Sequence, residues 1–451
     1  MGEETQRRGT RGTLPMRSRT TGCGLARRAR GWVYSRVLHA TSSSPGAPAP
    51  SQARHHGHLA LLLAALAALG PFSTDTYLPS FQEIGVEFGA SQLLVQQTLT
   101  AYMVPFAAMT LWHGAISDAL GRRRVTIVLL AMFALASVGC MCAWSVESLM
   151  LFRALQGMSA GAGMIIGRAV VRDIFDGTEA RRMMGQVAIM FAVAPALGPV
   201  VGGWLHVWFG WRSVFAFLAL FSALLCWWCC KELPETLPPE KRQPFHPKPL
   251  AQGYWEAIRS GPFVALVLAI TLNFSATFTY IVSAPAFVIG QLHLSETSFL
   301  WLFGPITCGF LIGAYLSSRL AGHLSNRKTV ALSYAIMAGA ALANLLFHAF
   351  FPPMTPWSVL PLAIYSVGTS LAMPSLTLMA LDLLPQRRGL AASCQGFVQS
   401  AGNAVVTASI APLVWGSAFT MSVNMVALMT LGGGMFLLAV ALHRRAARHL
   451  A

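Results

Sequence analysis

The sequence predicts an all-α membrane protein whose twelve transmembrane helices form two pseudo-symmetric six-helix halves. The first observation is composition, because 55% of the 451 residues are hydrophobic and only 11% are charged, whereas soluble domains carry about 25% charged residues. The second is a series of long apolar runs, and the third is one polar break near the middle of the chain. Together these observations exclude an ordinary soluble domain.

The apolar runs recur along nearly the whole chain after residue 57. A helix needs about 18 to 20 apolar residues to cross about 30 Å of hydrocarbon, and each run reaches that length. The runs lie at about 58–80, 92–116, 125–143, 148–170, 184–207, 212–231, 262–289, 297–320, 328–350, 355–381, 389–414 and 417–442.

The polar break divides these runs six and six. We predict five regions: an N-terminal extension at 1–56, a first half at 57–231, a linker at 232–261, a second half at 262–443 and a basic tail at 444–451. The extension is rich in arginine and ends in a Ser/Pro/Ala stretch, so we expect it to be disordered. That composition is typical of a transit peptide, of a cytoplasmic tail, or of upstream sequence added by a mis-assigned start codon.

The net charge of +16 follows the predicted topology. Ten of the 32 basic residues precede residue 58, and nineteen others lie in alternate loops or in the tail. The intervening loops hold only Arg212 but contain Glu83, Glu87, Glu147 and Glu296. This asymmetry predicts that both termini are cytoplasmic. The partners that we expect are therefore membrane lipid and a small-molecule substrate, and not nucleic acid.

A charged loop joins the second and third spans and reads "GAISDALGRRR" at 114–124. Its glycines permit a tight turn and close helix approach, while Asp118 can cap a helix or pair with an arginine to hold one half against the other. The spacing resembles motif A of the major facilitator superfamily, at Gly114, Asp118, Gly121, Arg122 and Arg123. The alternative is a solvated basic loop that only sets orientation.

Two departures from this motif are visible. Ala119 stands where the motif has an arginine, so part of its charge network is absent. The corresponding loop of the second half, "GAYLSSRLAGHLSNRK" at 313–328, carries Ser317 where Asp118 would fall. We therefore expect an asymmetric gate.

The fifth span contains "APALGPVVGG" at 194–203. Its prolines bend the helix, and its glycines let a neighbouring helix pack closely. The stretch resembles motif C, the antiporter signature of drug exporters, at Pro195, Gly198, Pro199, Gly202 and Gly203. Such a seam would seal a proton path, and it favours an antiporter over a symporter.

Two charges fall inside predicted spans at the same depth. Asp75 lies 17 residues beyond His58 in "FSTDTYLPSF", and Arg153 lies a few residues into the fourth span, in a stretch (149–173) that resembles motif B. Burial disfavours the charged form of a carboxylate and a nearby guanidinium favours it. We hypothesise that Asp75 exchanges a proton while Arg153 tunes its affinity and competes with substrate. The alternative is a static ion pair or helix cap.

These stretches resemble the twelve-helix drug:proton antiporters, and in particular the bicyclomycin and chloramphenicol resistance (Bcr/CflA) branch. "STDTYLP" is similar to the branch's first-helix signature, and "RRGLAASCQGFVQSAG" at 387–402 to its eleventh span. The resemblance covers residues 57–445. It implies proton-coupled efflux of small, mostly apolar drugs across the bacterial cytoplasmic (inner) membrane by alternating access. A dedicated exporter of a purine or amino-acid derivative is the alternative.

Substrate contacts are less visible in the sequence. Aromatic walls with few polar groups suit loosely specific binding. The candidates for a cavity are Tyr77, Tyr102, Phe106, Asn273, Phe274, Phe278, Tyr280 and Asn403.

No enzymatic or cofactor chemistry is predicted. "CWWCC" at 226–230 lacks the second pair that a metal site needs, so we expect buried thiols and no metal. The chain has no P-loop for ATP and no catalytic pair or selectivity filter within a span. We therefore expect a monomeric transporter, with the proton as coupling ion, and not an enzyme or a pore.

Overall fold

The computed structural model describes residues 50–175, 177–242 and 247–450. Within that part of the chain, eleven helices are long and apolar enough to cross a membrane. The first half contributes five of them: His58–Glu87, Arg122–Met141, Val146–Ile174, Arg182–Phe209 and Arg212–Glu232. The second half contributes six: Gly261–Val282, Leu300–Leu320, Asn326–Phe350, Leu360–Asp382, Pro385–Val414 and Ala418–Arg445.

The remaining predicted span, 92–116, is also helical. It consists of Gln92–Thr110 followed by His113–Leu120. Gln92, Gln96 and Gln97 make its first turns more polar than the other spans, because glutamine amides prefer water to hydrocarbon. With this helix, twelve spans are present as predicted, and we number them in chain order.

The two halves repeat one packing pattern. In the first half the second and third spans both pack on the fourth, and the third also packs on the sixth. In the second half the eighth and ninth pack on the tenth, and the ninth packs on the twelfth. Between the halves, the second span contacts the eleventh and the fifth contacts the eighth. The pseudo-symmetry that relates the two halves maps one of these contacts onto the other.

The first span is longer than predicted. Its helix, Pro50–Asp75, is followed by a 3-10 turn at Leu78–Ser80 and a short helix at Phe81–Glu87. Leu78, Phe81 and Ile84 are buried, so apolar packing continues the span beyond residue 80. Glu83 and Glu87, which we expected in a loop, therefore lie on its last helix.

The linker contains a helix at Pro247–Arg259. The Tyr254 hydroxyl donates a hydrogen bond to the Leu111 carbonyl oxygen at 3.0 Å, and Glu256 pairs with Arg387 at 2.5 Å. We call the end of the bundle that carries this helix and motif A the linker end, and the opposite end the far end.

The predicted terminal regions are described only in part. The extension at 1–56 lies almost entirely outside the described residues. The tail from residue 444 continues the last helix, which runs over Ala418–Leu450.

Candidate functional site

Asp75 ends the first helix at a break inside the first span. Its side chain is only 4% exposed, and Thr74 Oγ1 donates a hydrogen bond to Asp75 Oδ1 at 3.0 Å. The fifth span passes directly over it, because a Cβ added to Gly198 would lie 3.0 Å from Asp75 Cβ. The carboxylate therefore faces the motif C helix.

Arg153 is fully buried in the fourth span and holds the same break from another side. Its Nη1 donates to the Ser73 carbonyl oxygen at 3.1 Å, to Ser73 Oγ at 3.3 Å and to Gln156 Oε1 at 2.8 Å. Carbonyl groups in the last turn of a helix lack partners within that helix. Arg153 supplies one for Ser73.

The Arg153 guanidinium also lies between two aromatic rings. Its central carbon is 4.9 Å from the Tyr77 ring centroid and 4.4 Å from that of Tyr102, which are cation–π distances. Its Nε and Nη2 have no hydrogen-bond partner in the part of the chain that the structure describes. The group thus keeps two donors that another ligand or residue can use.

The two buried charges share a depth as expected, but Asp75 and Arg153 form no ion pair among the described residues. Arg153 reaches Ser73, which lies two residues before Asp75. At 100° per residue, side chains two positions apart point to nearly opposite faces of a helix. The helix therefore turns Asp75 toward the fifth span and Ser73 toward the fourth.

The glycines of motif C are positions of close helix approach, as the sequence indicated. A Cβ on Gly202 would overlap the Thr76 carbonyl oxygen, and one on Gly203 would meet the Glu296 carbonyl oxygen. Pro195 and Pro199 lie inside the same helix. The fifth span therefore packs on the broken first span with one face and on the second half with another.

Motif A is built around Arg122, which is 9% exposed. Its guanidinium pairs with Asp118, donates to Ser117 Oγ at 2.6 Å and pairs with Asp173 Oδ2 at 3.2 Å. Its backbone N–H donates to Glu235 Oε1 at 2.9 Å. Every one of these partners belongs to the first half or to the start of the linker.

We expected this network to hold one half against the other, and in this conformation it does not. Asp118 pairs within its own half, and Arg123 donates to the Cys230 carbonyl oxygen of the sixth span at 2.6 Å. Gly121 has a φ of 98° that favours glycine. By contrast, a Cβ on Gly114 would be in ordinary contact, since its nearest neighbour, in Ile165, lies 4.0 Å away.

The candidate cavity residues fall into separate groups. Tyr77 and Tyr102 are buried against Arg153, and Phe106 stacks on Tyr102. Phe274 and Phe278 stack on one face of the seventh span, where the Asn273 side chain donates to the Tyr334 hydroxyl at 2.9 Å. The Tyr280 hydroxyl accepts from Asn344. Asn403, on the eleventh span, has a buried Oδ1 that accepts no hydrogen bond from any described residue, and so has Asn273.

The thiols differ in part from the expectation that they are buried. Cys140, Cys229 and Cys394 are buried and Cys226 is half-buried, but Cys142, Cys230 and Cys308 are exposed. In residues 50–175, 177–242 and 247–450, no three His, Cys, Asp or Glu side chains lie together in a way that could hold a metal ion.

Several residues of the site were not identified from the sequence. Gln156 follows Arg153 by three positions, a spacing that places two side chains on one helix face and could have been recognised. Ser73, Asp173 and Glu235 gave no such signal, because each meets its partner from a distant part of the chain.

Comparison with known proteins assigns the family. The sequence model of the Major Facilitator Superfamily matches residues 61–407. An uncharacterized MFS-type transporter of Bacillus subtilis, YdgK, is 30% identical over 85% of this chain and 92% of its own length. Multidrug resistance protein D of Escherichia coli is 26% identical over 79% and 89%. A Haemophilus influenzae bicyclomycin resistance protein homolog is 26% identical over 81% and 92%.

Solved structures agree on the fold. A bacterial homolog of the human lysosomal transporter Spinster, in an inward-facing and unoccupied conformation, matches with a TM-score of 0.67 and 14% identity. The match covers 88% of this chain and 98% of that one. The predicted all-α fold of two six-helix halves is confirmed.

Proposed function

This chain belongs to the Major Facilitator Superfamily, a family of transporters and not of enzymes, and we propose that it exports small, mostly apolar drugs in exchange for protons. It is a multi-pass membrane transporter of small molecules. Drug export is supported by the relatives named for multidrug and bicyclomycin resistance. Alternating access would move the two halves about the contacts between the second and eleventh and between the fifth and eighth spans.

Asp75 is the proposed proton carrier. The observation behind this role is a buried carboxylate on the seam between the first and fifth spans, with which no Lys, Arg or His of the described residues forms an ion pair. Burial disfavours the charge of a carboxylate that has one hydroxyl donor and no cation beside it, so the group must gain a proton, or meet water or a cation, to persist. Movement of the fifth span past Gly198 would change that access.

Arg153 is the proposed second member of the couple. Its unpartnered Nε and Nη2 provide donors for Asp75, or for substrate, once the break in the first span rearranges. A carboxylate that reaches a guanidinium releases its proton more readily. The ion pair between Asp75 and Arg153 that we expected from the sequence would then form in the other state of the transport cycle.

Orientation, cofactor use and assembly complete the proposal. The basic loops and the linker would face the cytoplasm of a bacterial cell, with both termini on that side. The proton is the only coupling ion, no cofactor takes part, and one chain suffices because it supplies both halves.

A dedicated metabolite exporter is the second candidate, and one observation favours it. Asn273 and Asn403 each keep a buried amide oxygen to which no group of the described residues donates a hydrogen bond. A purine or an amino-acid derivative would offer N–H groups to such acceptors.

The test is proton release from reconstituted protein on addition of a panel of drugs, purines and amino-acid derivatives. We expect release with members of one class, and its loss in Asp75→Asn while substrate binding persists. Asp382→Asn is the matched control, because it neutralises an exposed carboxylate that pairs with Arg388. Full proton-driven export by Asp75→Asn would refute the role of Asp75, and the responding class would decide between drugs and metabolites.

A further inference from the structure

His206 joins the two halves at the far end of the bundle. It lies one turn after Gly203 in the fifth span, and its side chain is 7% exposed. Its Nδ1 is 2.9 Å from Glu83 Oε2, on the last helix of the first span. Its Nε2 is 3.0 Å from Glu296 Oε2, in the connection between the seventh and eighth spans. One imidazole thus faces a carboxylate from each half.

The charges at this place favour a ring that carries two protons, since both carboxylates lie within ion-pair distance, although Nδ1 makes no hydrogen bond within the described residues. A neutral imidazole has one N–H and one lone pair, so one of its nitrogens would face a carboxylate oxygen lone pair against lone pair. Only an imidazolium places a positive charge between the two carboxylates. Without its second proton, the ring would leave one of the two carboxylates at the interface without a cation.

The other charges at this end do not replace that proton. Glu83 Oε2 also accepts a hydrogen bond from the Trp211 backbone N–H at 3.0 Å. Glu87 pairs with Arg212 at 2.6 Å and accepts from Trp211 Nε1 at 2.5 Å. The Glu87–Arg212 pair is complete within the first half, which leaves Glu83 and Glu296 as the acidic groups that face His206.

The backbone at the same place is closely packed. The absence of a side chain at Gly203 lets the fifth span approach the Glu296 carbonyl oxygen. Opening of the far end must separate Glu296 from the fifth span. It must therefore break the contact between Glu296 and His206.

We propose that His206 is a proton-binding site, distinct from Asp75, that latches the far end closed. The ring takes a proton from water on the far side as the halves meet there, and returns it to the same side before they part. Acid on the far side therefore favours closure. Given the orientation under the proposed function, a cell would meet external acid by closing the outer gate, but the latch itself requires neither substrate nor proton exchange at Asp75.

The test measures the far-end distance directly. Spin labels replace Val86 and Leu413, which are 84% and 82% exposed on the first and second halves. The background carries Ser at the exposed Cys142, Cys230 and Cys308, at the half-buried Cys226 and at Cys23, which lies outside the described residues. Distance distributions are recorded in nanodiscs without substrate between about pH 5 and pH 9, the range in which histidines titrate. We expect the ratio of closed to open conformers to fall roughly tenfold or more as the pH rises through this range.

Variants assign that dependence to the latch. His206→Gln and Glu296→Gln should each abolish it. His348→Gln should preserve it, because the side chain of His348, near the end of the ninth span, makes no hydrogen bond or ion pair with any described residue. Asp75→Asn should also preserve it, so a failure of the proton-coupled export proposal remains distinguishable. A pH-independent ratio in the unaltered protein, or an unchanged pH profile in His206→Gln, would overturn the latch.

Discussion

The linker end and the far end of the bundle hold their charges in different ways. At the linker end, Arg122 is surrounded by Asp118, Asp173 and Glu235, all from the first half or the linker that follows it. At the far end, His206 stands between Glu83 of the first half and Glu296 of the second. The Arg122 network connects residues of the first half and the start of the linker, whereas the His206 contacts connect the two halves.

The difference shows where this conformation is closed. The fifth span meets the second half near Gly203, and Gln97 of the second span donates to the Ala408 carbonyl oxygen of the eleventh at 3.1 Å. The side chains of motif A make no such contact in the described residues, and the linker helix provides the ties at that end through Tyr254 and Glu256. At the far end, spans of the two halves contact each other directly. At the linker end, the contacts named here are made through the linker helix.

The largest effect should come from filling the seam at the far end. In Gly203→Val the new side chain would overlap the Glu296 carbonyl oxygen, so the fifth span and the second half must move apart at the far end. We expect transport to fall to roughly a tenth or less and the far-end distance to increase. Gly185→Val is the control in the same helix, because a Cβ there meets no neighbour. Equal losses of transport in both variants would contradict the importance of close packing at this helix contact.

Arg122→Ala should act on stability and not on closure. It leaves the Asp173 carboxylate without its arginine, and loss of hydrogen bonds to a charged group costs about 1.5–3 kcal/mol. The thermal unfolding midpoint in detergent should therefore fall, while the far-end distance between labels at 86 and 413 stays the same. Arg124→Ala removes an exposed neighbour and should change neither. A change in the far-end distance of Arg122→Ala would show that the two ends are coupled more directly than their contacts indicate.

A smaller change is expected for the hydrogen bond between the second and eleventh spans. Gln97→Leu keeps the volume of the side chain but removes the donor to Ala408. One such bond contributes about 1 kcal/mol, so the closed-to-open ratio should fall about fivefold. Gln92→Leu, at an exposed position in the first turn of the same helix, is the control. No shift in Gln97→Leu would mean that the latch and the seam suffice for closure.

The smallest effect concerns the linker helix. Burial raises the pKa of the Tyr254 hydroxyl from 10.0 to about 12. Since the folded pKa is the higher one, docking that depends on the neutral phenol is fully present below pH 10 and is lost as the pH rises toward 12. A spin label at the exposed Gln252 should become more mobile over that range, because the phenolate has no hydrogen to donate to the Leu111 carbonyl oxygen. Tyr254→Phe should show no such pH dependence, and a transition that persists in it would assign the effect to another group.

Much of the fold followed from the sequence. The division into two halves and the twelve helices were visible, because a helix is the form in which a single segment satisfies its backbone groups within hydrocarbon. The predicted end of the first span was wrong, because Leu78, Phe81 and Ile84 extend apolar packing in a segment that also carries glutamates. Those glutamates, read as loop charges, form part of the far-end contacts.

The site was predicted less completely. Asp75 and Arg153 were identified because charges inside a span are costly and rare, and their common depth followed from the rise of the helix. Their pairing did not follow, because the direction of each side chain depends on how each helix is rotated. Ser73 takes the guanidinium, and Asp75 turns to the glycines of the fifth span.

By itself the sequence determined the number of spans, the two halves, the depth of the buried charges and the positions where glycine permits close packing. These properties depend on hydropathy and on distance along one helix. The tertiary structure alone decided which charges meet: Arg122 within its own half, Arg153 with Ser73 and Gln156, and His206 with a carboxylate from each half. Such contacts join residues far apart in the chain, and only the packing of whole helices brings them within reach of one another.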